Sequence, residues 1–305
     1  MRKPEKMNKN NIIADTIKNY YDATDDEVDR IMSILNSESY QRSDRDHDFF
    51  NSDIARPMRL QLEYLKVQSV LEKKNIQKTI VVFGGTRVTQ KTRAELRLKK
   101  AEDALARDKT NEDFQYQLKV AQKILDKVKY YDEAHRFAAL VAKFSKNHSH
   151  TPIHVMTGGG PGVMEAANKG AYDEDEESIG LNIDLPLEQF PNSYITPELC
   201  FSFRYFALRK LHFMHRARAL VAFPGGFGTF DELFEALTVI QTKTIKPIPV
   251  VLVGKHYWEN AVNFEFLAQE GVIERKDLDL FSVVETADEA WKYILNWYGG
   301  RGLEI

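Results

Sequence analysis

The sequence has few or none of several features that indicate particular classes of protein. One cysteine, Cys200, occurs among 305 residues, which excludes an internal disulfide framework and favours a reducing compartment. The first 27 residues include basic side chains but lack the apolar segment of a secretory signal. No apolar run approaches the roughly 20 residues that span a bilayer. These absences predict a cytoplasmic protein with no membrane partner.

An excess of one charge sign is also absent. The chain has 42 Lys and Arg against 45 Asp and Glu, which gives a formal net charge of −3. Nucleic-acid binding usually depends on a basic field, so no nucleic-acid partner is expected. What is present is a globular composition, with 43% hydrophobic and 11% aromatic residues. Charged residues of both signs are interspersed and indicate solvated helices.

The amino-terminal quarter of the chain, residues 1–75, is polar and has helical patterning. Its apolar residues recur at three- and four-residue spacing, which predicts helices with one buried face. We expect an amino-terminal helical extension that serves as a cap or an oligomerisation segment. The predicted buried positions are Val28, Ile31, Met32 and Leu35, and further on Leu60, Leu62, Leu65, Val67 and Leu71.

From residue 76 to 305, apolar runs such as "TIVVFGG", "SIGLNIDL" and "PIPVVLVG" alternate with helical patterns. This alternation predicts an α/β domain with a Rossmann-like, doubly wound, mostly parallel sheet and helices on both faces. The stretch 90–130 differs, because it is dense in charge and free of Gly and Pro. We interpret it as an inserted helical hairpin, solvated or facing a partner. Thr110 and Asp113 have the spacing of a capping box where its second helix would begin.

Two segments share the layout of apolar strand, glycine cluster and helix. Glycine allows close approach of a ligand to backbone amides, and a helix amino terminus attracts anions. Two such loops at strand ends favour a phosphorylated ligand. Neither matches a dinucleotide or Walker fingerprint, so a simpler phosphate such as a nucleoside monophosphate is expected. The glycines are Gly158, Gly159, Gly160 and Gly162 in the first loop, and Gly225, Gly226 and Gly228 in the second.

The second loop is followed by two acids, Asp231 and Glu232. Spacing alone favours a T-x-x-E capping box from Thr229 to Glu232. The alternative is catalytic, because a carboxylate beyond a bound phosphate can hydrogen-bond a ribose and stabilise a cationic sugar. Candidate cations are Arg209 and Lys210 on the preceding helix. Spacing does not choose among these and Arg204, Arg216 and Arg218.

The segment "PGGFGTFDE" matches the P-G-G-x-G-T-x-x-E signature of the LOG (Lonely Guy) family, the cytokinin-activating nucleoside 5′-monophosphate phosphoribohydrolases. "ALRK" is similar to the family's helix with a catalytic Arg followed by Lys. "GGGPGVMEAANKGA" resembles the other glycine loop of the longer bacterial members. The resemblance runs from about Thr79 to the carboxyl terminus, apart from the 90–130 stretch.

The resemblance implies hydrolysis of the N-glycosidic bond of AMP or an N6-modified AMP to free base and ribose 5-phosphate, without a cofactor or metal. It implies Arg209 and Glu232 as the catalytic pair. It also implies a homo-oligomer, a dimer or higher, because the family's site lies near a dimer interface. The hairpin and the long amino terminus depart from compact members, so base preference stays open. The implied substrate-binding residues are Gly158, Gly159, Gly160, Gly162, Lys210, Gly225, Gly226, Gly228 and Thr229.

Three other functions remain open from the sequence. A non-catalytic nucleotide or cofactor carrier would use the same glycine loops. A lysine decarboxylase, the label often given to this family, would need pyridoxal phosphate on a lysine, and no lysine has a distinctive setting. A metal hydrolase has the least support, since no H-E-x-x-H motif accompanies the histidines. The histidines considered are His148, His150, His154, His212 and His215, and Cys200 is interpreted as a small buried residue.

Overall fold

The computed structural model describes residues 9–148, 152–185, 190–302 and 305. His150, one of the histidines considered above, lies outside this part of the chain. The chain divides into two compact units, Met1–Leu62 and Glu63–Ile305, whereas the sequence places the boundary at residue 75. The division falls within the helix Arg56–Lys73.

The first unit is helical. Its second helix begins with a capping box, in which the Thr24 amide donates to Glu27 at 2.8 Å. Val28 of that helix is buried together with Ile17 and Ala23, and Ile31, Met32 and Leu35 pack against them. The predicted buried face of this helix is therefore confirmed. The helices are α1 Lys9–Tyr21, α2 Asp25–Leu35, α3 His47–Asn51 and the start of α4 Arg56–Lys73, with a 3₁₀ turn at Glu38–Tyr40.

The second unit contains a sheet of seven strands, all of them parallel, in the order β4-β3-β2-β1-β5-β6-β7. This confirms the doubly wound parallel sheet. The apolar patterns of the sequence do not indicate β4 and β7, the two edge strands, which are four residues each. The strands are β1 Lys78–Phe83, β2 Ile153–Thr157, β3 Ser178–Ile183, β4 Cys200–Phe203, β5 Ala217–Ala222, β6 Val250–Val253 and β7 Phe281–Val284.

Helices cover both faces of this sheet. Alternate residues of β1 belong to two different cores, Ile80 and Val82 to one and Val81 and Phe83 to the other. A strand whose two faces are both buried reads as a continuous apolar run, which is why β1 was recognisable. The helices of this unit after α4 are α5 Lys91–Arg107, α6 Glu112–Leu125, α7 Val128–Asn147, α8 Val163–Tyr172, α9 Phe206–His215, α10 Phe227–Gln241, α11 Lys255–Ala261, α12 Phe264–Gln269 and α13 Ala287–Gly299, with 3₁₀ turns at Pro197–Leu199 and Arg275–Leu280.

The stretch between β1 and α7 forms the predicted helical hairpin, α5 and α6. The predicted capping box at Thr110 and Asp113 is wrong by one residue. Asn111 is the N-cap of α6, and its side chain accepts the Phe114 amide at 3.1 Å. The Thr110 hydroxyl instead donates to Asp108 at 2.8 Å. Asparagine caps a helix as well as threonine does, so the local sequence alone does not separate the two choices.

The order of the strands reverses at β1, which lies between β2 and β5. The chain after β1 and the chain after β5 therefore leave the sheet on opposite sides and open a crevice at the carboxyl ends of these strands. Ligands of open α/β sheets bind at such switch points. Among the helices of the described residues, none has the length and apolar character needed to cross a membrane.

Candidate functional site

A cavity of about 340 Å³ lies at this switch point. It receives residues from the ends of β1 and β2, from α9 and from the turn that opens α10. The volume is within the range of small-molecule sites. Its lining comprises Phe83, Gly84, Gly85, Thr86, Gly158, Met164, Ile183, Leu185, Phe206, Arg209, Phe213, Gly226, Phe227, Gly228, Thr229 and Glu232.

The second glycine loop leads into α10, but the helix begins earlier than the spacing of Thr229 and Glu232 predicted. The helix begins at Phe227 with Gly226 as its N-cap, so Thr229 lies in the first turn and Glu232 in the second. The capping-box interpretation of Thr229 and Glu232 is therefore wrong. Because α10 begins earlier, Glu232 is not needed as a cap and its carboxylate faces the cavity.

The start of α10 has the properties of an anion site. The amides of Phe227 and Gly228 are its first two donors and precede any intrahelical acceptor. A Cβ atom added at Gly226 or Gly228 would meet nothing within 4 Å, so the backbone there is open to the cavity. Exposed amides at the positive end of a helix dipole stabilise a phosphate.

Gly225 supports this turn from behind. A Cβ atom at this position would lie 2.0 Å from the Thr229 hydroxyl oxygen, so only glycine allows the turn to close on Thr229. The Tyr257 hydroxyl donates to the Gly225 carbonyl oxygen. Thr229 lines the cavity, whereas Gly225 does not. Gly225 thus shapes the predicted cradle rather than facing the cavity.

The first glycine loop is mostly internal. Only Gly158 of its four predicted residues lines the cavity. The carbonyl oxygens of Gly159 and Gly160 accept hydrogen bonds from the Asn192 side chain at 3.2 and 3.0 Å. Gly162, with a φ of +80°, packs so closely that an added Cβ would lie 2.3 Å from the Gly85 carbonyl oxygen.

The amino terminus of α8, which this loop opens, is also occupied. The Val163 amide donates to the Gly85 carbonyl oxygen at 3.2 Å. That amide is the first donor of α8, and a phosphate would otherwise be its natural acceptor. The loop therefore joins β1 to α8, and the first amide donor of that helix is used within the fold.

The two candidate catalytic residues meet in the cavity. Arg209 of α9 and Glu232 of α10 lie 3.3 Å apart, from Nη2 to Oε1, with side chains that are 12% and 6% exposed. The Arg209 guanidinium also lies over the rings of Phe206 and Phe213, at 4.8 and 5.6 Å. These apolar walls remove water from the ion pair.

Burial shifts the pKa of both groups. It raises the pKa of Glu232 to about 7, against the opposing effects of Arg209 and Lys210. Burial also lowers the pKa of Arg209, while Glu232 opposes that change. Perturbed carboxyl groups in a cavity are typical of functional sites, because a pKa near neutrality suits proton transfer and charge stabilisation.

Lys210 points elsewhere. Its ammonium group binds Asp231 at 2.8 Å and Glu235 at 2.9 Å on α10. These bonds raise the pKa of Lys210, although its partial burial acts in the opposite direction. Lys210 is not among the residues that line the cavity. Its contacts join α9 to α10 and so align the helices that carry Arg209 and Glu232.

The structure shows which of the candidate arginines lies beside Glu232. Arg216 is buried in the fold, where it donates to the Ile76 carbonyl oxygen and to the Gln68 side chain, both at 2.9 Å. Arg204 and Arg218 do not line the cavity. Arg209 is thus the arginine that lies beside Glu232, a choice that spacing alone did not allow.

Several lining residues were not singled out from the sequence. Phe206 lies one helical turn before Arg209, and this i, i+3 spacing was a signal for its position. The remaining walls come from distant strands, so no local pattern marks them. They are Phe83, Ile183 and Leu185 from strand ends and Met164 and Phe213 from helices.

The histidines do not converge. Within the ranges that the structure describes, no three His, Cys, Asp or Glu residues form a group that could hold a metal ion. His212 is buried and stacks on Tyr64 at 5.0 Å, and His148 stacks on Phe144 at 4.0 Å. Burial raises the pKa of the Cys200 thiol, which lies on the edge strand β4 and is not an activated nucleophile.

Comparisons with known proteins match the carboxyl-terminal part of the chain. Residues 164–294 match a family model described as "Possible lysine decarboxylase". A curated relative, the probable cytokinin riboside 5′-monophosphate phosphoribohydrolase LOGL3 of Oryza sativa subsp. japonica, is 26% identical over 144 residues. That match includes 44% of this chain, and the chain spans 64% of the length of the relative.

Two solved structures align with most of this chain at low identity. The molybdenum cofactor binding protein from Rippkaea orientalis has a TM-score of 0.43 at 16% identity, over 72% of this chain and 96% of that one. The Moco carrier protein from Chlamydomonas reinhardtii has a TM-score of 0.40 at 19% identity, over 72% of this chain and 98% of that one. Over residues 164–294 the chain is thus similar to the family of that model, and a LOG-named protein is among its relatives.

Proposed function

We propose that the protein hydrolyses the N-glycosidic bond of nucleoside 5′-monophosphates, AMP or an N6-modified AMP, to free base and ribose 5-phosphate. The observation that carries this proposal is the buried Arg209–Glu232 pair beside the open amides of α10. The name of the rice relative describes a phosphoribohydrolase of a riboside 5′-monophosphate and supports the same reaction class.

The phosphate would bind at the start of α10. The amides of Phe227 and Gly228, with the Thr229 hydroxyl, are the donors closest to the open backbone of Gly226 and Gly228. A dianionic phosphate at this position gains from both the amides and the helix dipole. No lysine is required for such a cradle, since backbone amides supply the hydrogen bonds.

In this proposal the Glu232 carboxylate lies beyond the phosphate, because its backbone is further along α10 than the amides of the cradle. Glu232 follows Phe227 by five residues, which is about 7.5 Å along a helix axis. At an effective dielectric near 20, two unit charges repel by about 4 kcal/mol at 4 Å and by about 2 kcal/mol at 7.5 Å. A ribose can occupy the space between them, and Glu232 then faces the sugar.

In the reaction, the bond from C1′ to the base nitrogen breaks and the base leaves with the electron pair. The sugar passes through a cationic, oxocarbenium-like state that the Glu232 carboxylate stabilises. The oxygen of a water molecule then bonds to C1′. One proton of that water remains on the new C1′ hydroxyl, and the other is transferred to the base, which leaves as the neutral molecule. Arg209 holds the carboxylate in place through the 3.3 Å contact.

Pyridoxal phosphate chemistry does not fit this cavity. A lysine decarboxylase needs a lysine that forms a Schiff base with the cofactor. Among the described residues that line the cavity there is no lysine, and Lys210 is held by Asp231 and Glu235. The label "Possible lysine decarboxylase" on the family model is therefore not the activity we propose.

The test is direct detection of free base after incubation with AMP, GMP, CMP and N6-prenyl-AMP. We expect adenine-type bases to be released, and kcat to fall at least 100-fold in Glu232→Gln and in Arg209→Ala. Glu259→Gln is the matched control, because Glu259 is exposed on α11 and does not line the cavity.

Two outcomes would contradict the proposal in different ways. Full activity in Glu232→Gln would mean that the site assignment is wrong although the reaction is right. Binding of AMP by the wild-type protein without any release of base would instead support the carrier function. Equilibrium binding of AMP to the same preparations separates these outcomes.

A further inference from the structure

A second and larger cavity, of about 700 Å³, lies on the other side of the turn that opens α10. The hairpin helix α6 forms one wall, and the chain after β1 and the loop Pro224–Phe227 form the others. Gly85, Thr86, Gly226 and Phe227 line both cavities. The proposed reaction makes no use of this second cavity.

The second cavity is basic. Arg87, Lys119, Lys123 and Lys127 line it, and no Asp or Glu is among its lining residues within the described part of the chain. Lys123 has a single distant ion pair, to Asp126 at 3.8 Å, in which both side chains are exposed. The whole protein has a formal net charge of −3, so this local group of four cations differs from the average composition of the chain.

Two of these lysines lie close together. The Lys127 ammonium group donates to the Lys123 carbonyl oxygen at 3.1 Å. Burial lowers the pKa of Lys127, the nearby charge of Lys123 lowers it further, and Asp126 acts in the opposite direction. A ligand with several negative charges would pair with these ammonium groups at shorter distances than the exposed Asp126, which lies 3.8 Å from Lys123.

The rest of the lining is apolar and aromatic. Tyr116 of α6, Tyr257 of α11 and Phe227 contribute rings, and Val120 and Ile124 contribute aliphatic surface. The Tyr257 hydroxyl is already bonded to the Gly225 carbonyl oxygen, so its ring is fixed in place. A nucleobase stacks on such rings, while a bare inorganic anion gains nothing from them.

We propose that this cavity is a second ligand site, for a nucleotide that carries two or more phosphates, with its phosphates on Lys119, Lys123 and Lys127 and its base against the aromatic residues. The volume suits a ligand of this size. The proposal does not depend on the release of base at the first cavity, because it concerns binding alone.

The experiment is calorimetric titration of ATP into the full-length protein that is already saturated with AMP. Glu232→Gln provides a background in which the AMP would not be consumed. We expect ATP to bind to this complex, and the double variant Lys123→Gln/Lys127→Gln to weaken that binding at least tenfold. The matched control is Lys99→Gln/Lys100→Gln, which removes two exposed charges from the other hairpin helix.

A second comparison tests the aromatic part of the site. Tyr116→Ala should weaken ATP about fivefold or more and leave the affinity for inorganic triphosphate unchanged. Thermal denaturation of each variant establishes that it is folded.

Absence of ATP binding to the AMP complex would overturn the proposal. Equal losses in the two lysine pairs would also overturn it, because they would indicate general attraction to a basic surface. So would displacement of AMP by ATP, which would place both nucleotides in the first cavity.

Discussion

Glu232 is the residue on which the proposed chemistry most depends. Its side chain is 6% exposed and its carboxyl group faces Arg209 across 3.3 Å. Burial raises the pKa of this group to about 7, so about half of the molecules carry the anion at neutral pH. The anion is the form that stabilises a cationic sugar, and it is therefore the active form in the proposed reaction.

We expect the kcat/KM for release of base to rise about tenfold per pH unit below pH 7 and to become constant above about pH 8. The Arg209 charge favours the carboxylate, so Arg209→Gln should move the midpoint of this profile to higher pH as well as lower its plateau. The measurement is initial rate against pH from 5 to 9. A rate that falls over the same interval would show that the protonated acid is the working form.

His212 gives a separate, structural prediction. It is buried beside Tyr64 and Phe203, and burial, followed by the charges of Arg216 and His215, lowers its pKa to about 4. A histidine with a lowered folded pKa stabilises the protein above about pH 6.5 and loses this contribution as the pH falls toward 4. At pH 5 the loss is about 2 kcal/mol.

We expect the free energy of unfolding of the wild-type protein to fall more steeply between pH 7 and pH 5 than that of His212→Phe. Urea denaturation at the two pH values measures both. The carboxyl groups titrate in the same way in both proteins, so the difference between the two slopes isolates His212. An equal fall in the free energy of unfolding of both proteins would show that His212 does not cause the pH dependence.

At the scale of elements, the two glycine turns differ in what they do. Gly162 has a φ of +80°, and an added Cβ would lie 2.3 Å from the Gly85 backbone oxygen. At Gly228 the same atom would meet open space. The first turn is thus a packing contact between α8 and the end of β1, and the second is a surface offered to a ligand.

We expect Gly162→Ala to lower stability by about 2 kcal/mol or more, because it adds backbone strain to a steric clash. Gly228→Ala should leave the melting temperature within a few degrees of wild type and raise the KM for AMP. Thermal denaturation and steady-state kinetics on both variants make the comparison. A stable Gly162→Ala variant would mean that the turn can relax.

The sequence predicted the central elements and missed the peripheral ones for a physical reason. β1, β5 and β6 are buried on both faces and appear as continuous apolar runs. β4 and β7 lie at the edges, and the segments "CFSF" and "FSVV" are too short and too mixed to have a clear period. The start of α10 was also misplaced, because Gly226 is the N-cap of the helix and lies three residues before Thr229, the residue that the spacing indicated as the cap.

Part of the candidate site could also be predicted from the sequence. Glu232 and the second glycine loop follow from one contiguous motif. The pairing of Arg209 with Glu232 needed the packing of α9 against α10, which local spacing does not contain. The second cavity depends on α6 and on a turn more than 90 residues further along the chain. Neither segment has a sequence pattern that predicts a cavity between them.

For the whole molecule, self-association stays a prediction that the surface supports. Phe206, Leu211 and Phe227 are 48%, 54% and 96% exposed, and two of them line the first cavity. Apolar side chains grouped around a site are typical of surfaces that another chain covers. A second copy of this chain at this position would exclude water from the Arg209–Glu232 pair.

We expect sedimentation velocity at micromolar concentration to show a dimer or a larger species. Leu211→Glu should shift it toward the monomer, because a charge at a buried interface is unfavourable. Leu96→Glu is the control, since Leu96 is similarly exposed, at 55%, on the hairpin. A monomer at all concentrations would contradict the expectation.

The two outermost strands of the sheet affect how copies of this protein can meet. β4 and β7 offer only four residues each to a neighbour, so a foreign strand would find few free amides and carbonyls to extend the ladder. Short borders of this kind hinder amyloid-like growth. Association through helices then remains the route by which copies can join without polymerising.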